Sequence, residues 1–102
     1  MVTGNVTIAQ YREAKSHGGQ TWQTVQTYVS GVGTGLLTAN AMLEIEHKPL
    51  LYCQPLKLTL DANNYIEVLE KEIAETRPPD TMDINIVLGA GLKSTFPCPQ
   101  QH

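Results

Sequence analysis

Two cysteines and His47, one of three histidines, are the residues of this chain most suited by type to chemistry. Cys53 and Cys98 are the only cysteines, and both lie near prolines in the second half of the sequence. Such a pair in a small domain is typical of a disulfide formed in an oxidising compartment. The alternatives are a nucleophilic cysteine activated by His47 and a zinc site that combines the cysteines with a histidine.

The surrounding sequence favours the disulfide. A cysteine nucleophile also needs an orienting group and an oxyanion site, and nothing in the sequence suggests them. Zinc ligands usually come in close pairs, which neither cysteine has. We therefore predict a Cys53–Cys98 disulfide, which loop entropy would make worth roughly 4 kcal/mol. No other side chains form a catalytic set, and we predict no catalytic residue, no cofactor and no metal.

The glycine-rich stretch from Ser30 to Leu37 (SGVGTGLL) could be a phosphate-binding loop or a place of close helix packing. Its spacing does not fit G-x-G-x-x-G, and no strand precedes it. An apolar stripe at helical spacing runs through it instead: Trp22, Val25, Val29, Val32, Leu36, Ala39 and Leu43. Gly31 and Gly35 are four residues apart and share one helix face. Each internal glycine costs about 1 kcal/mol, so we predict that a neighbouring element packs closely there; a kink is the alternative.

The hydrophobic periodicity predicts four helices and no strand, hence an all-α fold. The predicted helices run from Asn5 to Lys15, from an N-cap at Thr21 to about Glu46, from a cap at Thr59 or Asp61 to just before Pro78, and from about Asp83 to Thr95. Glu67, Glu70, Lys71 and Glu72 are expected on the exposed side of the third helix. We predict one domain over residues 1–102, a small four-helix bundle with one long helix, stapled by the disulfide.

Two connecting segments are candidate partner-binding sites. Two prolines stiffen the loop from Arg77 to Asp83, and a pre-ordered loop loses less entropy when it binds a partner. We predict contacts at Arg77, Asp80, Met82 and Asp83, and secondary contacts in the connector from His47 to Tyr52. The alternative for the loop is a plain connection between helices.

Composition excludes several classes of function. The 102-residue chain has a net charge of −3 and no run of Lys or Arg, so it lacks the footprint of a nucleic-acid-binding protein. No apolar run approaches the ~20 residues that a membrane helix requires. No signal peptide is visible at the N-terminus, whereas the cysteines indicate an oxidising compartment. We expect a periplasmic protein whose leader has been removed.

Several motifs together resemble a known family. Tyr28 to Asn40 (YVSGVGTGLLTAN), then Cys53-Gln54-Pro55, then a helix ending before Pro78, and finally Phe96-Pro97-Cys98 resemble the Tai/Rap immunity proteins of type VI secretion systems. The resemblance covers about residues 20–99. It implies a small all-helical periplasmic protein, with its two cysteines in a disulfide, that binds a secreted peptidoglycan amidase and blocks its active site.

The resemblance also implies that the protein is not an enzyme and that it forms a homodimer. Its partner-contacting residues lie in variable loops and do not transfer by position. The alternative hypothesis is an HdeA-like periplasmic acid-stress chaperone, which is also small, helical and disulfide-bonded. Such a chaperone would expose apolar surface and hold unfolded clients at about pH 2–3, where carboxylates are protonated.

Overall fold

Four helices make up the fold. A computed structural model describes residues 5–55 and 57–99. The helices are α1 (Ile8–His17), α2 (Gly19–Ile45), α3 (Ala62–Thr76) and α4 (Ile84–Thr95). Within the described residues there is no strand, only an isolated bridge between Thr7 and Asp83. Cys53 and Cys98 are joined by a disulfide. The predicted all-α class, the single long helix and the disulfide are confirmed.

Local hydrogen bonds explain where α1 and α3 begin. The Thr7 hydroxyl accepts from the Gln10 N–H and the Gln10 side chain accepts from the Thr7 N–H, which is a capping box. Asp61 and Asn64 form the same arrangement at the start of α3. Asp61, one of the two predicted caps, is therefore the N-cap residue of the third helix.

The start of α2 differs from the prediction. Thr21 lies inside the helix, which begins at Gly19 with Gly18 as its N-cap residue. Gly18 and Gly19 have φ angles of 75° and 60°. Glycine adopts this left-handed region without steric cost, so the chain turns from α1 into α2 without a linker. The side chain at position 21 was not needed as a cap because the backbone supplied the turn.

The helices bury one continuous core. Its buried side chains come from all four helices and from the connector that follows α2: Ile8, Tyr11, Val29, Tyr52, Tyr65, Leu69, Ile73, Ile84, Val87, Leu88 and Leu92. The predicted stripes of α3 and α4 are therefore the core-facing stripes. Glu72, by contrast, is buried, although it was expected on the exposed side of α3. It lies beside Gly91 of α4, where the two helices come close.

The close approach to α2 occurs at Gly33. A Cβ atom at Gly33 would lie 2.5 Å from the Tyr65 ring of α3. Gly31 and Gly35 are exposed, and a Cβ atom at either would meet nothing within 4 Å. Within a single chain, the prediction of close packing at these two positions is wrong. Each is two residues from Gly33, and two residues correspond to a rotation of roughly 200° around the helix.

The long helix sets the shape of the molecule. At about 1.5 Å per residue, the 27 residues of α2 span roughly 40 Å. The principal extents are 46 × 27 × 24 Å, so α2 must follow the long axis. None of the described helices is both long enough and apolar enough to cross a membrane.

Alanine substitutions at two glycines of α2 should have opposite effects on stability. Gly33→Ala forces the buried Tyr65 ring to move, and overpacking of this kind should lower the free energy of unfolding by about 1–3 kcal/mol. In Gly31→Ala the added methyl group meets open space. The better helix propensity of alanine should raise the free energy of unfolding by up to about 1 kcal/mol. Urea unfolding of both variants measures the difference. Two changes of the same sign would contradict the assigned packing face.

Candidate functional site

The chain that follows α2 is fixed to the end of that helix by one buried side chain. The Asn40 Oδ1 atom accepts from the Leu51 N–H at 2.7 Å, and the Asn40 Nδ2 atom donates to the Tyr52 carbonyl oxygen at 2.7 Å. Asn40 is buried, so these bonds satisfy backbone groups that would otherwise lose water without replacement. A single amide group thus anchors the connector to α2.

Two further links join the same connector to the end of α4. The Cys53 N–H donates to the Phe96 carbonyl oxygen at 2.8 Å. The disulfide also joins Cys53 of the connector to Cys98, which follows α4. The connector is therefore held between the C-terminal ends of α2 and α4, and its surface is presented in one arrangement.

The structure separates the predicted contacts of the connector. His47 is exposed and follows the C-cap residue of α2 in a left-handed conformation with φ 57°. Tyr52 is only 1% exposed, so it is a core residue and not a partner contact. Burial raises the pKa of the Tyr52 hydroxyl, and the neighbouring Tyr65 raises it further. The two hydrogen bonds of the Asn40 amide, which we call the Asn40 clamp, fix the backbone of Leu51 and Tyr52. The prediction for Tyr52 was wrong because its side chain points inward in this arrangement, while Leu51 remains exposed.

An apolar surface lies where α2 meets the connector. Six large hydrophobic side chains of the described residues are exposed, and five of them belong to the second half of α2 or to the segment after it: Leu37, Met42, Ile45, Leu51 and Leu58. A shallow groove of about 480 Å³ brings several of them together. We call its apolar lining the tip surface, defined by Leu37, Ala41, Ile45, Leu50, Pro55 and Leu58.

Sequence reasoning missed the tip surface, although a signal was present. Leu37, Ala41 and Ile45 are spaced four residues apart, which gives α2 a second apolar stripe. The longer stripe from Trp22 to Leu43 masked it. Contiguous exposed apolar surface is typical of a protein-binding site.

The loop from Arg77 to Asp83 is pinned to the start of α1. The Ile8 N–H donates to the Met82 carbonyl oxygen at 3.0 Å, and the Ala9 N–H donates to the Asp80 carbonyl oxygen at 3.1 Å. Met82 and Asp83 are half-buried, whereas Arg77 and Asp80 are exposed. The loop is ordered by its backbone, and the contacts predicted for it remain predictions.

Charged groups from three elements meet beside this loop, around a groove between α1 and α3. Eight residues line it: Tyr11, Arg12, Lys15, Glu70, Ile73, Ala74, Arg77 and Pro78. We call it the α1–α3 groove. Arg12 Nη1 lies 2.8 Å from Asp80 Oδ1, which joins α1 to the loop. No three side chains of His, Cys, Asp or Glu within residues 5–55 and 57–99 come together as a metal site would require.

Glu70 is the one carboxylate among the eight lining residues, and it accepts hydrogen bonds from two side chains of α1. Its Oε2 atom accepts from the Tyr11 hydroxyl at 2.7 Å and from the Lys15 ammonium group. Partial burial alone would raise the pKa of Glu70, but the bonds from Lys15 and Tyr11 bring it below its ordinary value. Burial and the hydrogen bond to Glu70 raise the pKa of Tyr11. These bonds tie α1 to α3.

Removal of the Asn40 amide should destabilise the protein and release the connector. In Asn40→Ala, the Leu51 N–H and the Tyr52 carbonyl lose their partners, and we expect a loss of about 2–4 kcal/mol in the free energy of unfolding. The Leu51 amide should also exchange its hydrogen much faster. Asn63→Ala, at an exposed position of α3, should change stability by under about 0.5 kcal/mol. Unchanged Leu51 exchange in Asn40→Ala would contradict the clamp.

Comparison with protein-family models, with curated proteins and with solved structures found no match for this chain.

Proposed function

We propose that this protein is an immunity protein that binds a cognate type VI secretion peptidoglycan amidase and occludes its active site. The motifs of the glycine-bearing helix, the connector cysteine and the final Phe-Pro-Cys support this identity through their resemblance to the Tai/Rap family. The single observation that supports a protein-binding role is the tip surface, where exposed apolar side chains collect on a fixed backbone.

Inhibition of this kind is steric, so the inhibitor itself needs no reactive group. An apolar surface held by the Asn40 clamp and the disulfide loses little conformational entropy on binding. Such a rigid surface can fill a cleft and exclude substrate. We infer that the tip surface makes the principal contact, with exposed His47 beside it and the loop residues Arg77 and Asp80 as a second contact region.

The state in which the apolar surface is exposed distinguishes this proposal from an acid-stress chaperone. A chaperone of the HdeA type would expose apolar side chains after acid-induced opening. Here Ile45 is 78% exposed in the folded chain, so no opening step is required. The disulfide is compatible with an oxidising extracellular compartment, and we propose the periplasm as the location.

A charge in the tip surface should abolish inhibition. The test is amidase activity on peptidoglycan with increasing amounts of inhibitor, and the enzyme to use is any peptidoglycan amidase encoded beside this gene. Ile45→Lys places an ammonium group in the contact, and we expect inhibition to weaken by at least about 100-fold, since apolar anchors dominate interfaces. The fold should persist because Ile45 is exposed and lysine suits a helix C-terminus.

Ile86→Lys is the matched control for Ile45→Lys. Ile86 is also a large exposed hydrophobic side chain, 59% exposed, but it lies on α4 away from the tip surface. Its replacement should leave inhibition within about threefold of the original. Equal losses in the two variants would sink the assignment of the tip surface. Full amidase activity with excess unaltered protein would sink the proposed function.

We further propose that two copies associate through the outer face of α2. No charged residue occurs between Gly19 and Leu43, so a face with Thr27, Gly31 and Thr34 runs along most of the helix without charge. Two copies related by a two-fold axis could pack this face against itself without like-charge repulsion. The small side chains would allow the helix axes to approach closely.

A single lysine on this face should separate the two copies. Thr34→Lys keeps or improves helix propensity, and Thr34 is exposed, so the fold should persist. In a symmetric dimer the substitution brings two ammonium groups together, and the dissociation constant of the dimer should rise by about 10–100-fold. Sedimentation equilibrium measures it. Thr95→Lys, exposed at the end of α4, is the control. A monomeric unaltered protein, or an unaffected Thr34→Lys dimer, would contradict the proposal.

A further inference from the structure

The α1–α3 groove has the chemistry of a small-ligand site, and it is separate from the tip surface that makes the proposed principal contact. It is an open groove of about 650 Å³, within the range of ligand pockets, and it shares no lining residue with the tip surface. We propose that it binds the C-terminal end of a short peptide, with a free carboxylate and a small aliphatic side chain. Three properties of the lining support this assignment.

The first property is a surplus of positive charge. Three of the seven Lys and Arg residues of the chain line the groove: Arg12, Lys15 and Arg77. Lys15 is bonded to Glu70 and Arg12 is paired with Asp80. Among the described residues, Arg77 has no ion-pair partner. The groove therefore carries an uncompensated positive charge on a chain whose net charge is −3, and a carboxylate complements it.

The second property is a backbone acceptor without an internal donor. In a helix, the Ala74 carbonyl would accept from the residue four positions later, which is Pro78 and has no N–H. Both residues line the groove. A peptide N–H can supply the missing donor. The helix end itself opposes an anion, but its partial charge of about one half is smaller than the full charge of Arg77.

The third property is an apolar floor between these polar groups. Ile73, Ala74, Pro78 and the Tyr11 ring contribute to the lining. Carboxylate, N–H and a small aliphatic side chain occur together at the C-terminal residue of a peptide. A simple inorganic anion would leave the floor and the carbonyl unused, which is why we assign a peptide end.

The geometry is tested with N-acetyl-L-alanyl-L-valine and its C-terminal amide. Titration followed by ¹H–¹⁵N NMR should show the free acid binding with a dissociation constant on the order of 1 mM. The shifts should be largest at Lys15, Ala74 and Arg77. The amide lacks the charge and should bind at least about tenfold more weakly. Equal binding of the acid and the amide would overturn the assignment. So would the absence of binding at a peptide concentration tenfold above the expected dissociation constant.

Arg77→Asn is the decisive variant, because it removes the charge while keeping the fold. Arg77 has φ 48°, and asparagine tolerates this left-handed conformation better than most residues. Stability should therefore hold or rise, while affinity for the free acid falls at least about tenfold. Lys71 is an exposed cation of α3 outside the groove, so the Lys71→Gln variant should bind the free acid as tightly as the unaltered protein does.

Other occupants would give different results. Shifts confined to the tip surface would place the peptide there and contradict the proposal. Shifts of groove residues that follow protein concentration without peptide would indicate a second copy in the groove and would also contradict it. The peptide titration uses no amidase and the Ile45→Lys inhibition assay uses no peptide, so the two proposals fail independently.

Discussion

The two hydrogen bonds of Asn40 determine where the chain can go after its longest helix. They bring Leu51 and Tyr52 against α2 and turn the Tyr52 ring into the core. The disulfide then joins the same segment to the end of α4. The groove at the end of α2 is lined by residues of both α2 and this segment, so it depends on this arrangement. A buried amide is an economical device here, since it offers a donor and an acceptor to two consecutive backbone groups.

Charge is distributed unevenly over the four helices. Nearly all of α2, from Gly19 to Leu43, has none, whereas α1 forms one ion pair with α3 and one with the loop that follows α3. Exposed ion pairs of this kind are each worth little, but the Glu70 carboxylate also accepts from a buried tyrosine. The ion pairs of α1 therefore lie on the α3 side of that helix, and most of α2 forms none.

The sequence determined the helices more fully than the surfaces. Apolar spacing predicted the four helices and most of the core, because burial of one stripe is a local pattern that repeats at 3.6 residues. The disulfide followed from two cysteines alone. The packed glycine was not predictable: Gly31, Gly33 and Gly35 look alike in sequence, and only the position of Tyr65 distinguishes them. The burial of Tyr52 and Glu72 likewise depends on contacts between distant segments. The tip surface lay in an apolar stripe that a longer stripe obscured.

The alignment of α2 with the long molecular axis has a consequence for how the molecule rotates in solution. A body of 46 × 27 × 24 Å tumbles anisotropically, more slowly end over end than about its own axis. Backbone N–H bonds in a helix point nearly along the helix axis, so those of α2 sense the slow rotation most strongly. Their nitrogen relaxation therefore reports on the hydrodynamic aspect ratio of the particle. Side-by-side association along α2 would make the particle rounder and reduce this orientation dependence, whereas end-to-end association would increase it.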